Sequence, residues 1–212
     1  MASCFPQEIH APAKKTFSVA ALLLICAALF NANLRAQPAA TAHPALSDAT
    51  ILIVRHAEKP EDGKELSPAG EKRAAAYPHY FKDFTVDSRP LKLDYLVATA
   101  DSKGSNRPRL TLEPLSAALG LKMDQRFKAK DYEALAADLQ SVARGKHILI
   151  AWHHGEIPEL IQALGASPAA LLPKGKWPNE TFDWVIELRY DHEGRLVPSE
   201  CRRINEHLMP GD

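Results

Sequence analysis

Three short aliphatic runs constrain this chain more than any other feature: Thr50-Ile51-Leu52-Ile53-Val54, Asp94-Tyr95-Leu96-Val97-Ala98-Thr99 and His147-Ile148-Leu149-Ile150-Ala151-Trp152. Continuous apolar runs of this length, rich in β-branched residues, fit strands buried on both faces. Longer stretches with helical signals separate them. Ser67-Pro68-Ala69-Gly70-Glu71 offers a capping serine with proline at the first helical position, and its helix is expected to reach about Tyr77 and to stop or kink at Pro78. Residues 105–119 read as a helix stopped by Gly120, with Pro114 disturbing its middle. In residues 131–144, Tyr132, Leu135, Leu139 and Val142 share one helical face, and Gly145 ends the pattern. Residues 156–164 form a further helix before Gly165, and residues 121–127 suit a short strand. Residues 181–190 and 195–201 read as a terminal hairpin around Glu193-Gly194. Strands alternating with helices imply an α/β fold, a three-layer α/β/α sandwich with a mainly parallel central sheet.

In such sheets ligands bind beyond the carboxyl ends of the strands. The chemically informative residues fall there. The first run leads into Arg55-His56, the second into residues 101–107, and the third into His153-His154-Gly155-Glu156. Arginine and histidines delivered to one sheet edge make a cationic pocket suited to a phosphate.

The N-terminal residues have another character. Lys14 and Lys15 precede an uncharged apolar stretch at residues 17–30, and Arg35-Ala36-Gln37 follows. A basic start and 14 apolar residues match a secretory signal peptide and are short for a membrane span. Residues 1–36 are therefore expected to be a cleaved signal, with an uncleaved membrane anchor as the alternative. Ile25 before Cys26 speaks against lipid attachment at that cysteine. The Ala/Pro/Thr-rich residues 37–49 read as a disordered linker, and residues 50–212 as the domain. The protein is expected in the periplasm or outside the cell, without stable membrane association after cleavage. Cys4 and Cys26 fall in the signal, so Cys201 alone remains and makes neither an internal disulfide nor a thiolate metal site. With 26 basic and 26 acidic side chains, the chain lacks the basic excess of a general nucleic-acid binder.

Ile53-Val54-Arg55-His56-Ala57-Glu58-Lys59, at the end of an aliphatic strand, resembles the Arg-His-Gly/Ala motif of the histidine phosphatase superfamily. Leu66-Ser67-Pro68-Ala69-Gly70 is similar to the segment that follows the nucleophile loop there. Val97-Ala98-Thr99 with Arg107-Pro108-Arg109-Leu110-Thr111 and Glu113-Pro114-Leu115 resembles the family's Ser/Thr-rich strand end and its Arg-x-x-x-Thr helix start. Leu149-Ile150-Ala151-Trp152-His153-His154-Gly155 is similar to its later strand and second histidine, with His154 where glycine is common. These motifs span about residues 50 to 165 in family order, and Phe182-Asp183-Trp184 resembles the end of short exported members.

The resemblance implies a phosphoglycerate mutase-like fold and a metal-independent phosphatase without cofactor, acting on a small phosphorylated substrate through a phosphohistidine. It makes His56 the nucleophile, Arg55 and Arg107 the phosphate clamps, and His153 a charge-stabilising, phosphate-binding histidine kept cationic or donating; Arg109 is the spare arginine. Two other readings stand beside it. One is a phosphate-binding protein on the same fold without efficient turnover. The other is a metallohydrolase using His153, His154 and Glu156, perhaps with His56, although adjacent histidines on a strand end point apart. The remaining histidines read as structural or surface residues.

A leaving oxygen needs an acid. His154 occupies the position where the acid phosphatase branch has an aspartate, and the long insertion of the mutase branch is absent. Glu156 is the candidate acid, with Glu58 and Asp131 as alternatives and the option of no dedicated donor. Selectivity is expected from residues 101–106, 128–132 and the 172–181 loop containing Trp177; substrate identity and oligomeric state stay open.

Overall fold

The protein is described from a computed structural model, in which Met1 and residues 46–212 are placed. The expected signal peptide and residues 37–45 lie outside the described residues. Residues 46–49 belong to the domain and not to a linker. Leu46 and Ala49 are buried, Ala49 N–H closes a turn onto the Leu46 carbonyl at 3.1 Å, and Gly145 N–H donates to the Ser47 carbonyl at 2.8 Å. An apolar anchor ahead of the first strand moves the boundary forward. No helix among the described residues is long and apolar enough to cross a membrane.

The element order is β1 (Thr50–Arg55), α1 (Pro68–Lys82), β2 (Thr85–Val86), β3 (Arg89–Pro90), β4 (Tyr95–Ala98), α2 (Arg107–Leu119), β5 (Met123–Asp124), α3 (Tyr132–Val142), β6 (His147–Trp152), α4 (Ile157–Ala163), α5 (Pro168–Leu171), β7 (Trp184–Arg189) and β8 (Arg202–Asn205). Six strands form the main sheet in the order β5-β4-β6-β1-β7-β8. The first four run parallel, and β7 and β8 add antiparallel neighbours beside β1. The architecture is thus the expected α/β sandwich with a mainly parallel sheet.

Strand alternation sends successive side chains to opposite faces. Ile51, Ile53, Val97, Ile148, Ile150 and Trp152 pack with Leu135, Leu139, Leu160 and Ile161 of α3 and α4. Leu52, Val54, Leu96, Leu149 and Val185 pack with Tyr77, Phe81, Leu112 and Leu115 of α1 and α2. Each fully buried aliphatic side chain contributes about 1.5–3 kcal/mol, so both layers hold the sheet rigid. Register then sets the site. Arg55 pairs with Trp152 and Ala98 with Ala151, so the strand ends line up and the next residues, His56, Thr99 and His153, emerge side by side.

The structure corrects three local expectations. Helix α1 runs through Pro78 to Lys82. Proline there removes one N–H donor, but the burial of Tyr77 and Phe81 on one helical face outweighs that loss. The second strand of the terminal hairpin is Arg202–Asn205, not residues 195–201. The Asp191 carboxylate accepts the N–H groups of Glu193 and Arg195, and a 3-10 turn at Pro198–Glu200 delays pairing; within 195–201 only Leu196 makes a bridge, to Tyr190. The strand expected over residues 121–127 shrinks to the two residues of β5. A small hairpin, β2–β3, was not expected; it turns at Asp87 and Ser88, with φ of 50° and 62°.

Helix α1 also sets the floor of the site. Ser67 caps it by accepting from Gly70 N–H at 3.2 Å. A Cβ at position 70 would stand 2.4 Å from the Glu58 carbonyl oxygen. Only glycine lets the helix start lie this close to the segment after His56.

Candidate active site

His56 follows β1 directly, and its N–H donates to the Trp152 carbonyl at 2.9 Å, continuing the sheet by one bond. Its Nδ1 lies 2.7 Å from the Ala57 carbonyl oxygen. A carbonyl only accepts, so Nδ1 carries the proton and Nε2 keeps its lone pair. Burial, the neighbouring His153 and the two arginines push the ring's pKa down to about 3, so the imidazole is neutral at ordinary pH. Thr111 of α2 holds the next residue. Its Oγ1 accepts Ala57 N–H at 2.8 Å and donates to the Arg107 carbonyl at 2.8 Å.

His153 stands at the end of β6 with its ring centroid 5.2 Å from that of His56, edge to face. Its Nε2 is 3.3 Å from Thr99 Oγ1. Burial and the charge of Arg107 lower its pKa to about 4. The second histidine is therefore neutral before a ligand arrives; of the expected alternatives, donating is the one the environment favours.

Arg55 and Arg107 complete the cluster. Arg55 Nη1 donates to the carbonyls of Pro178, Asn179 and Thr181, and its guanidinium carbon lies 3.7 Å from the centre of the Phe182 ring. Arg107 Nη1 donates to the Gly63 carbonyl at 3.0 Å. In both residues the buried Nε has no partner among the described residues. An unsatisfied buried donor costs about 1–3 kcal/mol, more when charged, and an oxyanion at this spot would relieve both. Burial lowers both arginine pKa values, that of Arg55 to about 10, and Arg107 adds its repulsion there. Among the described residues no carboxylate forms an ion pair with Arg55 or Arg107, while the charges of Glu180 and Glu58 act on Arg55 from farther off.

The other candidates have separate employment. Arg109 pairs with Asp101 at 3.0 Å and Glu113 at 3.2 Å, away from the cluster. Glu58 is gripped by Arg73 at 2.8 Å, in a buried network where Arg73 also binds Glu206 at 3.0 Å and Asp212 at 2.6 Å. Asp131 Oδ2 accepts Lys128 N–H at 2.9 Å. Glu156 precedes α4, half-buried, and burial with the charge of Glu159 raises its pKa. Among the described residues no hydrogen bond, ion pair or ring contact joins Glu156 to His56, His153, Arg55 or Arg107. No group of three or more His, Cys, Asp or Glu among the described residues could share a metal ion.

The 172–181 loop, expected to influence selectivity, joins the site through its backbone, which accepts Arg55 at Pro178, Asn179 and Thr181. Trp177, expected to influence selectivity, is buried and donates to the Thr181 carbonyl at 2.9 Å, so it shapes that loop from beneath. His154 Nε2 donates to Asn179 Oδ1 at 3.0 Å, tying the loop to β6 as well. No local motif announces these contacts, because Arg55 reaches backbone carbonyls more than 120 positions away.

No protein-family model matches the chain, and no curated protein matches it by sequence. Solved structures do match. The protein histidine phosphatase SixA complexed with tungstate superposes with a TM-score of 0.52 at 16% identity, over 74% of this chain and 97% of that one. A phosphoglycerate mutase from Plasmodium falciparum superposes with a TM-score of 0.51 at 18% identity, over 78% of this chain and 96% of that one. The chain thus has the phosphoglycerate mutase-like α/β fold that these two solved structures share.

Proposed function

We propose that this protein is a metal-independent phosphatase that hydrolyses a small phosphorylated substrate through a phosphohistidine on His56. One observation carries the reading: a neutral imidazole with Nδ1 engaged and Nε2 free stands among two guanidiniums whose buried Nε–H donors lack partners. That arrangement binds an oxyanion and offers it a nucleophile. The fold-mates, a histidine phosphatase bound to tungstate and a phosphoglycerate mutase, support the same chemistry.

In this account Arg55 and Arg107 hold the phosphoryl oxygens and neutralise their charge. Nε2 of His56 attacks phosphorus, and the Ala57 carbonyl stabilises the positive charge that then develops on the ring. His153 donates to an equatorial oxygen as charge shifts in the transition state. Glu156, the acid expected from sequence, has the raised pKa of a proton donor but no link to this cluster.

Arg107→Ala should weaken phosphate or tungstate binding about 10- to 100-fold, because it deletes a charge-assisted donor. Isothermal titration of the folded variant checks this; unchanged affinity would remove Arg107 from the site. Export is proposed on the same footing, from Lys14, Lys15 and the apolar residues 17–30. N-terminal sequencing of the protein from its native host should find a chain starting near residue 37, whereas a membrane-bound chain starting at Met1 would favour the anchor.

A further inference from the structure

The cluster around His56 has cations and neutral rings but no carboxyl group in contact, and an alkyl phosphate does not leave readily without a proton. In-line displacement restricts where that proton can come from. His56 is only 3% exposed, at the floor of the site, so the departing oxygen points away from it, toward the mouth. A donor must stand on that outer side. Glu58 is held in an ion pair with Arg73 at 2.8 Å, Asp131 closes its own turn, and Glu156 has Glu159 and Lys130 as its charged neighbours.

Glu180 meets the requirement. It sits in the loop whose carbonyls at 178, 179 and 181 all receive Arg55 Nη1, so its backbone is pinned from both sides. The preceding Asn179 side chain is bonded to His154, and the Phe182 ring two positions on lies 6.3 Å from the ring of His56. The Glu180 carboxylate is exposed and makes no hydrogen bond or ion pair among the described residues. Its charge acts on both Arg55 and His154. Together with Phe182 and Trp184 it also lines an open cavity of about 700 Å³, which Glu58, Arg73 and Asp212 line as well; Phe182, in ring contact with His56, is where this cavity meets the site.

We propose that Glu180 is the proton donor to the leaving oxygen, placed at the mouth of the site by the loop that Arg55 and His154 hold. This rests on the phosphohistidine reading above. The cycle starts from Glu180 that has taken a proton from solvent: in the first step the His56 Nε2–phosphorus bond forms, the bond from phosphorus to the leaving oxygen breaks, and the Glu180 carboxyl proton moves to that oxygen. In the second step water attacks phosphorus, the Nε2–phosphorus bond breaks, and the water proton returns to the Glu180 carboxylate. Inorganic phosphate departs and the enzyme is restored.

The test compares Glu180→Gln with wild type on β-glycerophosphate, whose leaving alcohol needs protonation, and on p-nitrophenyl phosphate, whose leaving phenolate does not. Glutamine preserves the side chain's size, so the loop is retained. Turnover of β-glycerophosphate should fall about 100-fold or more, with a loss at least about tenfold smaller on p-nitrophenyl phosphate. Equal losses on both esters, or none on either, would overturn the assignment. So would a selective loss in Glu156→Gln that Glu180→Gln does not show. Rapid quenching with p-nitrophenyl phosphate separates this from the underlying reading. Phosphoenzyme in wild type without the leaving-group effect removes only Glu180; no phosphoenzyme in wild type during turnover removes both.

Discussion

Replacing His56 with alanine should lower kcat/KM by at least about 10⁴-fold while leaving the protein folded and able to bind phosphate. The size follows from the absence of a substitute. His153 is the nearest other imidazole, yet its ring meets His56 edge-on and its Nε2 faces Thr99. It cannot take the in-line position that the Ala57 hydrogen bond gives His56. Arg55 and Arg107 keep their own anchors in the variant, so oxyanion binding should survive. Steady-state kinetics with p-nitrophenyl phosphate, beside circular dichroism and phosphate titration, read all three properties. A folded variant within about tenfold of wild type would contradict the role of His56.

Arg73→Ala should be the most destabilising substitution considered, at about 3–5 kcal/mol by urea denaturation. Arg73 is buried and donates to Glu58, Glu206 and Asp212, while Tyr77 donates to Glu206 at 2.9 Å. Alanine would leave Glu206 buried with its one cationic partner among the described residues gone. Burial already pushes the Glu206 pKa up to about 7. Because this folded-state value lies above the unfolded one, the protonated carboxyl's contribution is full below about pH 4.5 and is lost as pH rises through about 7. The defect should therefore be smaller at pH 5 than at pH 8. A pH-independent loss, or one below about 1 kcal/mol, would show that the network is not what holds the segment after His56 against the tail at 206–212.

The buried strands could be read from sequence because their apolar runs are continuous, and β6 matches its expected bounds residue for residue. Helix limits were less legible where proline and packing compete: Pro78 looked like a stop, but Tyr77 and Phe81 carry α1 past it. The strand ends were legible as a set. Parallel register brings Arg55, His56 and His153 together once the runs are aligned, and Arg107 follows at the start of α2. What could not be read were long-range links made through backbone or buried charge. Arg55 binds carbonyls that any residue supplies, so Pro178, Asn179 and Thr181 leave no trace in residue type. Arg73 looks like an ordinary helix-surface arginine until Glu206 and Asp212 fold over it.

The central claim is covalent catalysis by His56, and trapping the intermediate tests it most directly. Wild-type protein lacking residues 1–36 would be mixed with ³²P-labelled substrate, quenched in base during turnover and digested for mass spectrometry. The account predicts an alkali-stable, acid-labile phosphate on the peptide containing His56, chased by unlabelled substrate and absent from His56→Ala. Turnover with no phosphoenzyme, or with the label on another residue, would contradict it.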